Sequence, residues 1–193
     1  MLTPVRTVGP AVPVVTVAEM VAHARANAED NALLEAYVGA ATAHFDGWTG
    51  VLGRCLINQQ WRIGLGAWPA CRTIRLPFPD VSAAAVVYSD ADDAEQTVDA
   101  ALVERGHDAL GAFLRLKDDF SAPTLYDDRL DPVRVTFTAG FGAAATDVPQ
   151  PLRVAIMMLA AHWYETREAA GDAMMSVPFG VDMLAAPYSR VGV

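Results

Sequence analysis

The sequence contains little cysteine and no long hydrophobic run. Its two cysteines, Cys55 and Cys71, cannot build a disulfide framework, and no CxxC pair or Cys/His cluster accompanies them as a zinc site would require. We expect both thiols to be reduced and structural. The best apolar run, residues 155–161, ends at His162 and is far shorter than the roughly 20 residues of a membrane helix. The proline-containing N-terminus also lacks the apolar block of a secretory signal, so we expect synthesis in the cytoplasm.

Charge is scarce as well. Charged residues make up 19% of the sequence and hydrophobic residues 53%, which is apolar for a soluble monomer. We therefore expect subunit interfaces to bury part of the apolar excess. The net charge is -9, and the cations are one lysine, Lys117, and scattered arginines. Because gripping DNA phosphates needs clustered basic side chains, this composition disfavours a DNA-binding surface. A channel lined by carboxylates would instead let a duplex pass without adhering.

Catalytic motifs are also missing. The sequence has no GxSxG, Walker-type loop or dinucleotide fingerprint, and its four histidines have no nucleophile motif beside them. Two aspartate-rich turns could attract a hard cation such as calcium, but neither has the glycine and terminal glutamate of an EF-hand loop. We expect no enzyme activity and no catalytic, cofactor-binding or metal-binding residue. The alternative is a soluble metal-binding protein or small enzyme that uses these turns: Asp90, Asp92, Asp93 and Glu95, and Asp118, Asp119, Asp127, Asp128 and Asp131.

Three segments show helical periodicity. Thr16 and Glu19 have capping-box spacing, which predicts a short helix to about residue 28. A cap at Asp30 or Asn31 begins a second helix that frays near residues 50–53. Its apolar face is predicted to be Leu34, Tyr37, Val38, Ala41, Phe45, Trp48 and Leu52.

The third and strongest helical pattern covers residues 149–170. Pro149 and Pro151 suit a first turn, where backbone N–H groups have no intrahelical partner, and Gly171 is a plausible stop. Apolar residues recur every three or four positions on one face, which should pack at the centre of the fold. The core residues predicted for this helix are Leu152, Ile156, Leu159 and Trp163.

Between these helical segments the sequence alternates with period two, which indicates short antiparallel strands. The strand candidates are residues 58–65, 73–76, 84–88, 97–103, 112–116 and 133–138. We predict an α+β fold with a mainly helical bundle core, an inserted small antiparallel β-hairpin or sheet region and an extended C-terminal arm. The predicted divisions are an extended N-terminal arm at 1–14, a helical core at 15–54 and 148–170, a β-rich insertion at 55–147 and the C-terminal arm at 171–193.

The C-terminal arm carries more large apolar side chains than a solvated terminus would. Pro178 and Pro187 restrict its backbone, while Gly180 permits a sharp turn. We interpret the arm as a segment that docks on a partner chain, the alternative being that Phe179, Leu184 and Tyr188 fold back on the helices. The candidate docking residues are Val177, Pro178, Phe179, Gly180, Val181, Leu184, Pro187, Tyr188 and Arg190.

The sequence VPQPLRVAIMMLAAHWYETREAA at 148–170, followed by VPFGVDMLAAPYSRV at 177–191, resembles the head-tail connector (adaptor) proteins of long-tailed phages and phage-derived gene transfer agents. Further matches follow in the family's order, among them EDNALLEAYVGAATAHFDGWTG at 29–50, NQQWRIGL at 58–65 and VRVTFTAGFG at 133–142. The resemblance covers nearly the whole chain and rests on several colinear matches rather than on one motif.

This resemblance implies a structural virion protein that forms a homo-oligomeric ring, twelvefold in the particle, below the portal. Its partners would be further copies of itself, the portal protein and a tail-side neck or stopper protein. DNA would pass through the ring without sequence-specific binding, and no membrane or cofactor would be involved. The protein would assemble in the host cytoplasm and end in the neck of the particle. Another neck or head-completion protein is the close alternative.

Overall fold

The protein is described by a computed structural model, which covers residues 1–166 and 179–190. The chain divides into two compact units. The β unit comprises Met1–Pro10 and Asn58–Gly140, and the helical unit comprises Ala11–Ile57 and the described part of Phe141–Gly192. No helix within the described residues is long and apolar enough to cross a membrane.

The β unit contains eight strands within the described residues. In chain order they are β1 (Val5–Val8), β2 (Gln59–Leu65), β3 (Thr73–Arg75), β4 (Val81–Ser89), β5 (Glu95–Thr97), β6 (Val103–Asp108), β7 (Gly111–Leu116) and β8 (Val133–Ala139). They form a five-stranded antiparallel sheet in the order β1-β2-β8-β4-β5 and a three-stranded antiparallel sheet in the order β3-β7-β6.

One face of the five-stranded sheet is the core of the β unit. Trp61 on β2 lies opposite Phe137 on β8, and Val135 lies opposite Val86 on β4. These four side chains lie on the same face of the sheet, because residues opposite one another and alternate residues of a strand share a face. All four are buried. Phe78 packs edge-on against Trp61 with ring centroids 4.9 Å apart, which closes this core.

The helical unit contains α1 (Val17–Ala24), α2 (Asn31–Phe45), α3 (Gln150–Glu165) and α4 (Phe179–Ala185). The predicted capping box at the start of α1 is confirmed: the Glu19 backbone N–H donates to the Thr16 hydroxyl, and the Thr16 N–H donates to the Glu19 carboxylate at 2.8 Å. Single 3-10 turns lie at Ala28–Asp30, Ala145–Asp147 and Ala186–Tyr188.

The core of the helical unit forms around α3. Leu152, Ile156 and Leu159 are fully buried, and Trp163 is partly buried against the same cluster. They pack with apolar residues of α1 and α2, among them Met20, Leu34 and Phe45. Burying one such side chain contributes about 1.5–3 kcal/mol, so α3 is a main source of stability for this unit. Residues 167–170 of the predicted helix lie outside the described residues.

The predicted fold class, a mainly helical bundle with a small β insertion and an extended C-terminal arm, is wrong. Two antiparallel sheets with eight strands dominate the described part of the chain, and the four helices there are short. Four stretches of strand escaped prediction: all of β1, the first residues of β4, most of β5 and most of β6. Their sequences contain alanine, glycine or charged residues in place of an alternating apolar pattern, so period two was not visible. The described part of the predicted C-terminal arm is not extended either, because α4 and a 3-10 turn occupy residues 179–188.

Two local predictions are also wrong. The helix predicted to carry Trp48 ends at Phe45, and Trp48 is 47% exposed in the loop that follows. The strand predicted at 97–103 is interrupted by a 3-10 turn at Ala100–Leu102. Asp99 initiates this turn, because its carboxylate accepts a hydrogen bond from the Ala101 N–H at 2.9 Å.

Candidate assembly surface

The C-terminal segment packs on its own unit through one face of α4. Val181 and Ala185 are buried in the core cluster that also contains α3, and Leu184 is partly buried against it. A Cβ added at Gly180 would lie 3.3 Å from the Met158 Cε, so the glycine permits close approach of α4 to α3. Two of the candidate docking residues, Val177 and Pro178, lie outside the described residues.

The end of the segment is attached to the same unit. The Tyr188 ring meets the Phe141 ring edge-on with centroids 6.4 Å apart, and the Arg190 backbone N–H donates to the Leu52 carbonyl at 2.9 Å. Pro187 is exposed. Leu184 and Tyr188 therefore pack on their own unit, which is the alternative to docking on a partner chain. Phe179 does not.

The outward face of α4 presents two large apolar side chains. Phe179 is 77% exposed and Met183 is 62% exposed. They are four residues apart and therefore neighbours on one helix surface. Aromatic and methionine side chains are enriched at protein interfaces, where methionine also adapts to irregular surfaces. Of the docking candidates that the structure describes, Phe179 is the large apolar side chain free to contact another molecule.

A second exposed apolar pair lies in the loop at residues 46–54. Trp48 and Val51 point to solvent from this loop. Asp46 holds the base of the loop, because its carboxylate accepts from the Leu56 N–H at 2.7 Å. The Val51 N–H donates to the His44 carbonyl at 2.9 Å, and a Cβ at Gly50 would lie 2.5 Å from backbone atoms of Phe45 and Asp46. The loop is thus a compact structure that displays its apolar residues.

Sequence reasoning missed three of these exposed residues: Met183, Trp48 and Val51. Met183 follows Phe179 by four positions, so in a helix the two side chains are neighbours on one surface. This spacing identifies Met183 as part of the exposed face only after the segment is known to be helical. Nothing in the local sequence of Trp48 indicated exposure, because its spacing continues the apolar face of α2.

Several carboxylates of the aspartate-rich turns pair with arginines of the same unit. Arg129 pairs with Asp93 at 2.8 Å, and the buried Arg134 of β8 pairs with Glu95 at 2.9 Å. In the second group, Asp118 lies 3.5 Å from Arg72. Across residues 1–166 and 179–190, no three His, Cys, Asp or Glu side chains are placed to hold a metal ion together. The contacts of Asp93 and Glu95 therefore help to hold the first turn.

Asp90 closes the first of these turns as a hydrogen-bond acceptor. The Gln96 side-chain amide donates to it at 2.8 Å, and the backbone N–H groups of Asp92 and Ala94 donate at 3.1 and 3.0 Å. These donors, the Gln96 amide foremost, hold the pKa of Asp90 below its ordinary value because they stabilise the charged form. Asp90 is thus an ionised structural residue at neutral pH.

No protein-family model and no curated protein matches the chain. Solved structures of gene transfer agent (GTA) particles do. The chain is 27% identical to a chain in the neck of an empty GTA particle computed with C6 symmetry, with a TM-score of 0.79 and coverage of 100% of this chain and 97% of that chain. A chain in the virion of a native GTA particle gives the same values. A chain in the neck of a native GTA particle computed with C12 symmetry is 28% identical, with a TM-score of 0.70 and 97% of both chains covered.

Proposed function

We propose that the protein is a structural component of a virion neck: a head-tail connector, or adaptor, of a phage, prophage or gene transfer agent. The observation that carries the proposal is the likeness over the full length to chains of GTA necks, at a TM-score of 0.79. Because the match spans both the β unit and the helical unit, it concerns the whole subunit rather than one common motif. Every segment of the sequence resemblance lies within this aligned length.

In this proposal the protein forms a homo-oligomeric ring, twelvefold in the particle, below the portal protein. It joins the DNA-filled head to a tail-side neck or stopper protein. Neck structures computed with C6 and C12 symmetry support a ring arrangement. A large closed ring needs heterologous interfaces, in which each copy contacts the next through two different surfaces. Assembly takes place in the host cytoplasm, and the ring then stays in the neck of the particle.

DNA passes through the ring without base-specific contacts. A net charge of -9 and a single lysine are unsuited to gripping a duplex by its phosphates. An acidic wall repels the duplex and therefore lowers its adhesion during ejection. The protein's role is mechanical and requires neither catalysis nor a cofactor.

The C-terminal segment is the portal-docking element in this proposal. The buried residues Val181 and Ala185 anchor α4 to the subunit, while Phe179 and Met183 face outward. Large apolar anchors that enter a pocket on the partner supply most of the binding energy in many interfaces. Pro187 and Arg190, which follow α4, extend the docking surface toward the loop at residues 46–54. Val177 and Pro178 complete the docking set on its N-terminal side.

The test is a portal-binding assay on substituted full-length proteins. Phe179→Ala combined with Met183→Ala should weaken binding to the cognate portal by at least about tenfold, because the loss of two anchors costs more than 1.4 kcal/mol. The matched control is Leu130→Ala, since Leu130 is 76% exposed but lies in the β unit. We expect this control to bind as the wild type does. Normal binding by the double variant would refute docking through α4.

A further inference from the structure

We propose that the loop at residues 46–54 is a second docking site for the portal protein. Its exposed side chains, Trp48 and Val51, bind the portal together with Phe179 and Met183 on α4. This inference rests on the proposed portal docking through α4, and it extends that contact to a surface that the sequence did not indicate.

Hydrogen bonds and one buried side chain fix the backbone of the loop. The Gly47 N–H donates to the Arg54 carbonyl at 2.9 Å, and the Gly53 N–H donates to the Gly50 carbonyl at 3.2 Å. Leu52 is fully buried in the core of the helical unit. Because these contacts already order the loop, binding through its exposed side chains costs little additional conformational entropy.

The exposed pair has no evident role inside the subunit. Trp48 is 47% exposed and Val51 is 56% exposed. Neither a ring contact nor a hydrogen bond to another residue of the described chain engages the Trp48 indole. Tryptophan is among the residues that most often carry the binding energy of protein interfaces. The loop therefore presents an anchor of the kind that fills a pocket on a partner.

The loop adjoins the C-terminal segment, so the two apolar pairs belong to neighbouring surfaces. The Arg190 N–H donates to the Leu52 carbonyl at 2.9 Å, and a Cβ added at Gly53 would lie 3.4 Å from the Arg190 Cβ. Arg190 follows Met183 by seven positions, a separation on the order of 10 Å along a helix. A standard interface of about 800 Å² per partner is roughly 30 Å across. One partner can therefore cover α4 and the loop together.

The area of a stable interface requires more apolar surface than α4 offers. More than half of a standard interface is apolar, about 450 Å² on each partner. Phe179 and Met183 expose on the order of 300 Å² between them, and Trp48 and Val51 add about 200 Å². Apart from Val12, these four are the large apolar side chains exposed in the described part of the helical unit. The two pairs together supply the apolar area that a stable contact needs.

Asp182 indicates the charge of the partner surface. It follows Phe179 by three positions on α4 and is exposed, so the two side chains are neighbours. Within residues 1–166 and 179–190 no arginine or lysine pairs with this carboxylate. A complementary surface has apolar pockets with a basic side chain near Asp182. A second copy of this acidic chain, with its net charge of -9, is a poorer match than a basic, apolar surface of the portal.

Substitution of the loop pair tests its contribution to binding. Trp48→Ala combined with Val51→Ala in the full-length chain should weaken binding to cognate portal rings by at least about tenfold. The circular dichroism spectrum should remain that of the wild type. The matched control is Leu110→Ala with Leu130→Ala, because both leucines are exposed but lie in the β unit. We expect this control to bind as the wild type does.

Photochemical cross-linking identifies the molecule that covers the loop. Thr49 lies between the two anchors and is exposed. Thr49→Cys, labelled with a benzophenone maleimide in a Cys71→Ser background, leaves both anchors in place. Cys71 is replaced because it is exposed, whereas Cys55 is buried. Irradiation of the chain assembled on portal rings should yield a covalent product of the chain with the portal.

Two results would overturn the inference and leave docking through α4 intact. One is normal portal binding by a folded Trp48→Ala, Val51→Ala protein. The other is a cross-linked product that contains only copies of this chain, and this readout decides the question if the double variant does not fold. If the wild-type chain itself fails to bind the portal, the connector proposal falls and this inference falls with it.

Discussion

Substituting Val181 by alanine separates the structural role of α4 from its proposed docking role. Val181 is fully buried between α4 and the core of the helical unit. The change removes two methyl groups and leaves a cavity that the surrounding residues fill only in part. The transfer cost of about 0.8 kcal/mol per methylene equivalent, with the cavity added, gives a destabilisation of about 2–3 kcal/mol.

The assay is thermal unfolding of the full-length protein followed by circular dichroism at a helical wavelength. In a chain of this size 1 kcal/mol shifts Tm by roughly 2–4 °C, so Val181→Ala should lower the Tm of the helical transition by about 4–12 °C. Met183→Ala is the control, because Met183 lies on the exposed face of the same helix. Its effect should stay within about 0.5 kcal/mol. Equal melting temperatures for the two variants would refute the packing of the Val181 face of α4 against the core.

Four further outcomes are expected. Leu159→Asp buries a carboxylate without a partner, so it should unfold the helical unit, and a soluble variant with an unchanged Tm would contradict the position of α3 in the core. Gly50→Ala should destabilise by about 1–3 kcal/mol in urea unfolding, since its Cβ meets backbone atoms at 2.5 Å; the control Gly39→Ala, in open space on α2, should be neutral or stabilising. Hydrogen bonds from Thr16 lower the pKa of Glu19, so the ionised carboxylate contributes to stability above pH 4.5. This contribution is lost as the pH falls through the lowered pKa. Glu19→Gln should therefore make the acid unfolding of the protein less steep. Added salt screens repulsion between acidic subunits, so ring formation in sedimentation experiments should persist or improve, and dissociation at modest salt would show that ion pairs dominate the interface.

The elements that the sequence predicted well have strong local signals. The capping box at Thr16 is fixed by residues three positions apart, and the strands at 59–65 and 133–139 alternate apolar and polar side chains. Strand β1 could not be recognised, because it lies in a proline-rich segment and is held by pairing with β2, more than 50 residues away. Long-range pairing of this kind leaves no local pattern, and for this reason the predicted balance between helix and sheet is wrong.

The tail shows a second limit of local reasoning. Its many large apolar side chains indicated docking on a partner. The sequence alone does not distinguish the side chains that pack inside the subunit from those that remain exposed. Val181 and Ala185 belong to the first group, and Phe179 and Met183 to the second. Deleting residues 177–193 would remove both groups at once. Point substitutions on the exposed face are therefore the sharper test of docking.

The measurement that tests the central claim most directly is electron microscopy of the purified chain mixed with its cognate portal. We expect class averages with a second ring seated coaxially below the portal, with twelvefold symmetry and density for α4 at the contact. Portal rings that remain bare, with the chain dispersed as monomers under conditions where it is folded, would contradict the connector function.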